Sequence, residues 1–435
     1  MELPQSRSSD YFNNGEPSMA LSVTVAELSG LIEPGKLVFV PGSSGAPLAF
    51  MESLQSNLEN SRDLRLLTSY VPGVNALDMA AFHPSAQITG LFMQPGLTDA
   101  QRTGRYRHLP LSYAGFTRYL EDHLDVDLLV IQVSPANAQG RCSLGPAVEF
   151  VPTALRKSRR TLALINRQTP YIEGSPSLEY ASFDYVCEVD TPLPTYSPDY
   201  DKNALSIAQN IATLIPRGSA LQLGLGKVPT ALYKSLLDHK ELRLYSGMLS
   251  DGFMDLADAG ALDQTFEHTA CVLLGSQALY TRCLDWPGLR LAGCETTHDP
   301  RTLLDLGSFV AVNSALEVDM FGQCNLEHAN GRAVSGVGGA PDFARAAKLS
   351  AGGLSIVALN ATLAAGKGSR IVPNLASTAI TSLSRVDVDY IVTEYGIASL
   401  AGASVHERAN AIISVAAPEF RADLLTAWTS ICQRL

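Results

Sequence analysis

The chain repeats itself, and the repeat limits what it can fold into. Lys36–Val40 (KLVFV) is a short apolar run, Pro41–Pro47 is a Gly/Ser/Pro loop, and LAFMESL after it has helical character. Pro47 falls in the first helical turn, where a missing N–H costs nothing. The same order returns at Ala220–Leu237, with strand ALQLG, loop LGKV, Pro229 and helix TALYKSLL. One constant shift carries Gly42 onto Gly224, Pro47 onto Pro229, Ser53 onto Ser235 and Leu54 onto Leu236. The same shift sets Gly140-Arg141-Cys142-Ser143-Leu144 on Gly322-Gln323-Cys324-Asn325-Leu326, each following a buried-looking strand. With a small slip, LRLLTSY (Leu64–Tyr70) falls on LRLYSGM (Leu242–Met248). Two copies of one α/β design are therefore expected, each with a largely parallel sheet.

At 435 residues the chain exceeds what one compact core holds, which agrees with two copies. The proline-rich stretch Thr191–Asn203 (TPLPTYSPDYDKN) reads as the joint. The expected organisation is a loose polar tail over 1–18, a first domain over 19–195 and a second over 196–435. The tail lacks the basic and apolar blocks of a signal peptide, and no apolar run is long enough to span a membrane. A net charge of −11 without a Lys/Arg block argues against a nucleic-acid partner. Seven cysteines stand apart, without CxxC or a metal-type cluster, so we expect reduced thiols, no metal and a cytoplasmic protein.

In the first half, strands are expected at Leu64–Ser69, Gln87–Met93, Asp127–Ser134, Thr161–Ile165 and Tyr185–Val189. Helices are expected at Pro47–Leu58, Ser112–His123 and Ala147–Lys157. In the second half, helices at Ala204–Ile215 and Pro229–Lys240 alternate with strands at Ala220–Gly224 and Leu242–Ser246. Ser404 and Glu407 form a capping-box pattern, and Pro418 breaks the helix after it. Ligands in such sheets collect at the carboxyl ends of strands. Gly42, Gly45, Gly224, Gly226 and Gly247 are all expected there.

The densest glycine cluster is Gly336-Val337-Gly338-Gly339, which runs into a helix. It can aim N–H groups at a phosphate or an oxyanion, or it can be a tight turn; both readings stand. The loops at Gly42–Gly45 and Gly224–Gly226 carry the same two readings, and neither has GxGxxG spacing. No GxSxG elbow exists. Ser246 is expected to cap a turn rather than attack a substrate, and Asp251 to cap the helix opening at Gly252. Glu295, in Cys294-Glu295-Thr296-Thr297-His298-Asp299, is a candidate base or a surface-loop carboxylate.

Six segments carry a resemblance from about Val23 to Trp428: VIQVSPANAQGRCSLG, DYVCEVDTPLP, LQLGLGKVPTAL, SALEVDMFGQCN, SGVGGAPDFARAA and VDYIVTEYGIASLAGASVHERANAI. With them the chain resembles the acetyl-CoA hydrolase/transferase family, which includes 4-hydroxybutyrate CoA-transferase and succinyl-CoA:acetate CoA-transferase. The resemblance implies two similar α/β domains facing each other across a cleft, in homodimers or larger homo-oligomers. It implies acyl-CoA as substrate with a small acceptor, and a glutamate that attacks the thioester to give an anhydride and then a glutamyl-CoA. The family pattern there is similar to H-[ST]-E-M-x-S-D-G, whereas this chain reads Tyr245-Ser246-Gly247-Met248-Leu249-Ser250-Asp251-Gly252. Gly247 thus falls where the resemblance implies the nucleophile. Ala46 and Lys227 depart from the same pattern nearby, while Gly336, Gly338 and Gly339 keep it. Three functions are compatible with that pattern: an enzyme repurposed to hydrolysis, acyl transfer or lyase chemistry, an ordinary CoA-transferase, or a non-catalytic CoA-thioester binder.

Overall fold

The computed structural model describes residues 20–434, so the expected tail over 1–18 lies outside the described residues. Two eight-stranded sheets dominate. The first orders its strands Leu21–Ser22, Tyr185–Val189, Ser158–Asn166, Val126–Val133, Leu37–Val40, Arg65–Thr68, Gln87–Gly90 and Tyr106–His108. The second orders Leu289–Leu291, His268–Leu273, Arg243–Leu249, Ala220–Leu223, Phe309–Ser314, Leu354–Ala358, Tyr390–Thr393 and Gly396–Ser399.

Reading the first sheet backwards gives the second, strand for strand, from the edge inward. Leu37–Val40 and Ala220–Leu223 hold the same place, as do Arg65–Thr68 and Arg243–Leu249. The duplication seen in sequence is therefore a duplication of topology. It fails at one edge. Leu21–Ser22 joins its sheet in parallel, whereas Gly396–Ser399 folds back antiparallel on Tyr390–Thr393.

Central strands such as Leu37–Val40 and Ala220–Leu223 are buried at every position, as expected where both faces of a parallel sheet are covered. The largest apolar cluster is continuous across both halves, from Phe39, Phe116 and Phe150 to Cys271, Leu273 and Leu274. Backbone bonds stitch the same junction. Leu273 N–H donates to Pro146 O at 2.7 Å and Val148 N–H to Cys271 O at 2.9 Å. The proline-rich joint is packed too, for Tyr280 Oη donates to Pro194 O at 2.6 Å.

Several local expectations change. The run expected to stop before Gly247 is a strand that continues through it to Leu249, because its neighbour pairs with Tyr245, Ser246, Met248 and Leu249 in one register. The helix expected from Ala147 begins at Val151, since Glu149 has φ 39° and cannot be helical. Asp251 makes no side-chain cap; its carboxylate accepts instead from Ser276 N–H at 2.9 Å and Ser276 Oγ at 2.8 Å. Ser246 caps no turn: its hydroxyl clips two strands together, donating to Leu223 O at 2.9 Å. The capping box at Ser404 and Glu407 forms, and Pro418 opens the last helix, Pro418–Cys432. No helix among the described residues is long and apolar enough to cross a membrane.

Candidate active site

A cavity of about 330 Å³ lies between the halves, at the carboxyl ends of strands from the second sheet and under loops from the first. Ala220–Leu223 and Phe309–Ser314 are paired neighbours and bring Gln222 and Asn313 to its floor. Both side chains are nearly fully buried, yet Gln222 Oε1 and Asn313 Nδ2 have no partner. Buried polar atoms are rarely left so, and a waiting acceptor beside a waiting donor fits a site made to hold a polar ligand.

Gly247 forms part of the wall, with φ outside the left-handed region. A Cβ there would lie 3.4 Å from His298 Nε2 and 3.5 Å from Phe343 Cε2, which is ordinary contact. Glycine is therefore not demanded by sterics at this position. Gly339 is different: a Cβ would come within 2.5 Å of His298 Nε2. Its neighbour Gly338 has φ 56° and accepts at its carbonyl from Tyr113 N–H, which pins the loop to the first half. The N–H groups of Gly338 and Gly339, both residues of the cavity lining, take no acceptor among the described residues.

The other glycines divide. Gly224 and Gly336 line the cavity. Gly226 lines an adjoining groove of about 310 Å³ that shares Gly224 and Leu225 with it. Gly42 and Gly45 do not reach the cavity. A Cβ on Gly42 would meet Ser69 O at 2.5 Å and one on Gly45 would meet Ala147 Cβ at 2.8 Å, so close packing explains both. The Gly42 N–H is already spent on Ser69 Oγ at 2.9 Å. Ala46 is fully buried in the first half's outer core.

Glu295, the candidate base, does not reach the cavity either. It sits on the short turn Cys294–Thr297 but lies outside the cavity lining, with its carboxylate beside Thr153 Oγ1 at 3.3 Å. Burial raises its pKa, partly offset by its own backbone N–H and by Arg156.

Glu149 and His298 come in their place. Glu149 lines the cavity and is 2 % exposed. Its carboxylate accepts from Ser69 Oγ at 3.0 Å, and burial pushes its pKa up to about 7. Its left-handed φ costs on the order of 1 kcal/mol and is held by Cys294 N–H donating to Glu149 O at 2.7 Å. His298 lies between Tyr113 and Phe343, with ring centroids at 5.0 and 4.6 Å, and burial pushes its pKa down to about 3. Thr297 Oγ1 lies 3.3 Å from Gly293 O and 2.9 Å from His298 Nδ1. With the hydroxyl donating to the carbonyl, Nδ1 carries the ring proton and Nε2, the ring nitrogen nearest Gly247, is bare.

The cysteines that stand apart in sequence do not all stay apart. Cys271, Cys294 and His298 bring their Sγ and ring-nitrogen atoms within 4.8 Å of one another, all buried. No CxxC spacing announces this group, because Cys271 comes from a strand, while Cys294 opens and His298 closes the short turn over Cys294–Thr297. Cys271 Sγ–H donates to Gly247 O at 2.8 Å.

A paired α/β scaffold with a polar-floored cleft between its halves defines the class, and comparison with known proteins gives the family. The acetyl-CoA hydrolase/transferase N-terminal domain matches residues 20–195 and the C-terminal domain of the same family matches 275–428. The chain belongs to the acetyl-CoA hydrolase/transferase family. It is 32 % identical to the 4-hydroxybutyrate coenzyme A transferase of Clostridium kluyveri, over 93 % of this chain and 96 % of that protein. It is 26 % identical to the acetyl-CoA hydrolase of Saccharomyces cerevisiae, over 73 % and 68 %. Among solved structures, RipA from Yersinia pestis superposes with a TM-score of 0.84 at 26 % identity, over 94 % of this chain and 97 % of that one. The 4-hydroxybutyrate CoA-transferase of Porphyromonas gingivalis gives 0.77 at 26 % identity, over 95 % and 98 %.

Proposed function

We propose that the cleft binds an acyl-CoA thioester beside Gly247 and releases CoA from it without a glutamyl-CoA at that position. The observation that carries the reading is the wall at Gly247. A side chain there would point into the cavity toward His298, and glycine supplies none. The free N–H groups of Gly338 and Gly339 suit the oxygen of a thioester carbonyl as negative charge develops on it. Gln222 and Asn313 suit an amide or hydroxyl of the ligand. Hydrolysis and acyl transfer start from that polarised carbonyl and differ in what attacks it, whereas lyase chemistry would use it as an electron sink for a bond broken in the acyl chain.

Ordinary CoA transfer is the second reading. It is favoured by the name of the Clostridium kluyveri relative and by Glu149, a carboxyl that faces the same cavity from the other half. The seven free cysteines suit a reducing cytoplasm, and we expect a homo-oligomer there.

The test is incubation with acetyl-, butyryl- and 4-hydroxybutyryl-CoA, with and without acetate, followed by borohydride trapping. Acyl-CoA consumption without a borohydride-sensitive enzyme-CoA adduct supports the proposal. The adduct would establish transfer instead, and CoA binding without turnover would make the protein a binder. Gly247→Glu should create acetate-dependent CoA exchange, since the wall accepts a Cβ there.

A further inference from the structure

From the placement of the buried thiols we infer that Cys271 is the nucleophile of this cleft, with His298 as its base and an acyl-cysteine as the intermediate. This rests on the acyl-CoA reading above and names what acts in the space at Gly247.

Cys271 lies on His268–Leu273, the strand beside Gly247's own, and lines the cavity together with Gly247 and His298. Its thiol is already turned to the Gly247 carbonyl, at 2.8 Å, on the wall of the same cavity. We assign the Nδ1–H tautomer to His298: Nδ1 lies 2.9 Å from Thr297 Oγ1, and Nε2 is the ring nitrogen that a Cβ at Gly247 would meet. A nucleophile, a base within a short movement and a third group orienting the base are the parts of an activated thiol. Tyr113 and Phe343 fix the imidazole plane and exclude water, which keeps the resting imidazole neutral; because burial disfavours the imidazolium, a proton taken from the thiol is passed on as the CoA sulfur leaves.

The chemistry balances without a further reagent. As Cys271 Sγ bonds to the thioester carbon, its proton passes to His298 Nε2 and the carbonyl oxygen takes the negative charge toward the N–H groups of Gly338 and Gly339. Collapse breaks the bond to the CoA sulfur, which leaves with the proton from His298, giving acyl-S-Cys271 and free CoA. One thioester replaces another, so the step is close to neutral in energy. Water or another acceptor then attacks, gives its proton to His298, and leaves the acyl product while the Cys271 thiol re-forms.

The experiment uses the full chain and the same three acyl-CoAs, carbon-14 labelled in the acyl group, with acid quench and peptide mass spectrometry. Label released by neutral hydroxylamine and mapped to Cys271 is expected. Cys271→Ser and Cys271→Ala should each lose at least 100-fold in turnover while binding CoA within threefold of wild type. His298→Asn should slow acylation to a similar degree. Cys187→Ser, a buried thiol in the first half's outer core, should change neither. Turnover within threefold of wild type in the Cys271 variants, or label mapping to Glu149, would overturn Cys271 while leaving the thioester reading in place. One equivalent of zinc in the purified protein, absent from Cys271→Ser, would make the trio a metal site and overturn it as well. Failure of wild type to bind or consume any of the three acyl-CoAs would bring down the thioester reading itself, and this inference with it.

Discussion

Replacing Glu149 by Gln should change how stability depends on pH, and by an amount the structure allows to be worked. Burial raises the folded-state pKa from 4.5 to about 7, against the opposing pull of the Ser69 hydroxyl and the Gly42 amide. Below the unfolded value both states hold the proton, and the group's contribution to stability is fully present. As pH rises from 4.5 toward 7 the unfolded chain releases its proton while the folded chain keeps it, so stability is lost. Above the folded value both are ionised and the loss is complete. At about 1.4 kcal/mol per pH unit, that interval corresponds to about 3 kcal/mol. A glutamine side chain cannot ionise and still accepts from Ser69 Oγ, so Glu149→Gln should lack this slope. Urea unfolding followed by circular dichroism, at about pH 5 and about pH 8, should show the variant gaining roughly 2 to 3 kcal/mol on wild type between the two. Asp342, which burial raises to about 6, titrates in the same window but is common to both proteins and cancels in the difference. A difference constant to within about 0.5 kcal/mol would refute the picture of a carboxyl held neutral in the dry junction.

Gly339→Ala should destabilise by about 1 to 3 kcal/mol because its Cβ drives into His298 and Phe343, whereas Gly247→Ala should stay within about 1 kcal/mol of wild type. Thermal melts of the two variants side by side check this. Asp342→Ala should cost about 1 to 3 kcal/mol, since the carboxyl accepts from Ser112 Oγ at 2.7 Å and Ala114 N–H at 3.0 Å across the halves. Because Tyr113 lies between those partners and packs on His298, turnover should fall along with the melting temperature.

The division between what was legible and what was not follows the range of the forces. Gly42 and Gly224 look alike in sequence, and both end a buried strand. Only packing separates them, because Ser69 crowds one while the other opens on the cavity. Glu295 and His298 are three residues apart at one short turn, and no local pattern says which of them faces the cleft. Glu149 gave no signal either. Its carboxylate matters because the chain before Val151 takes a left-handed turn, and backbone bonds from the opposite half hold it there.

By itself the sequence determined the duplicated α/β design, most of its strands and helices and the family, since these depend on residue periodicity, turn chemistry and a motif order carried within each segment. It also marked Gly247 as the residue to watch. Only the tertiary structure decided what surrounds that residue. Cys271 converges with Cys294 and His298 through the path of a strand and a later turn, and Glu149 crosses from the other half through contacts with residues more than a hundred positions away. Such contacts are fixed by how two sheets pack together, and nothing in the local order of residues records them.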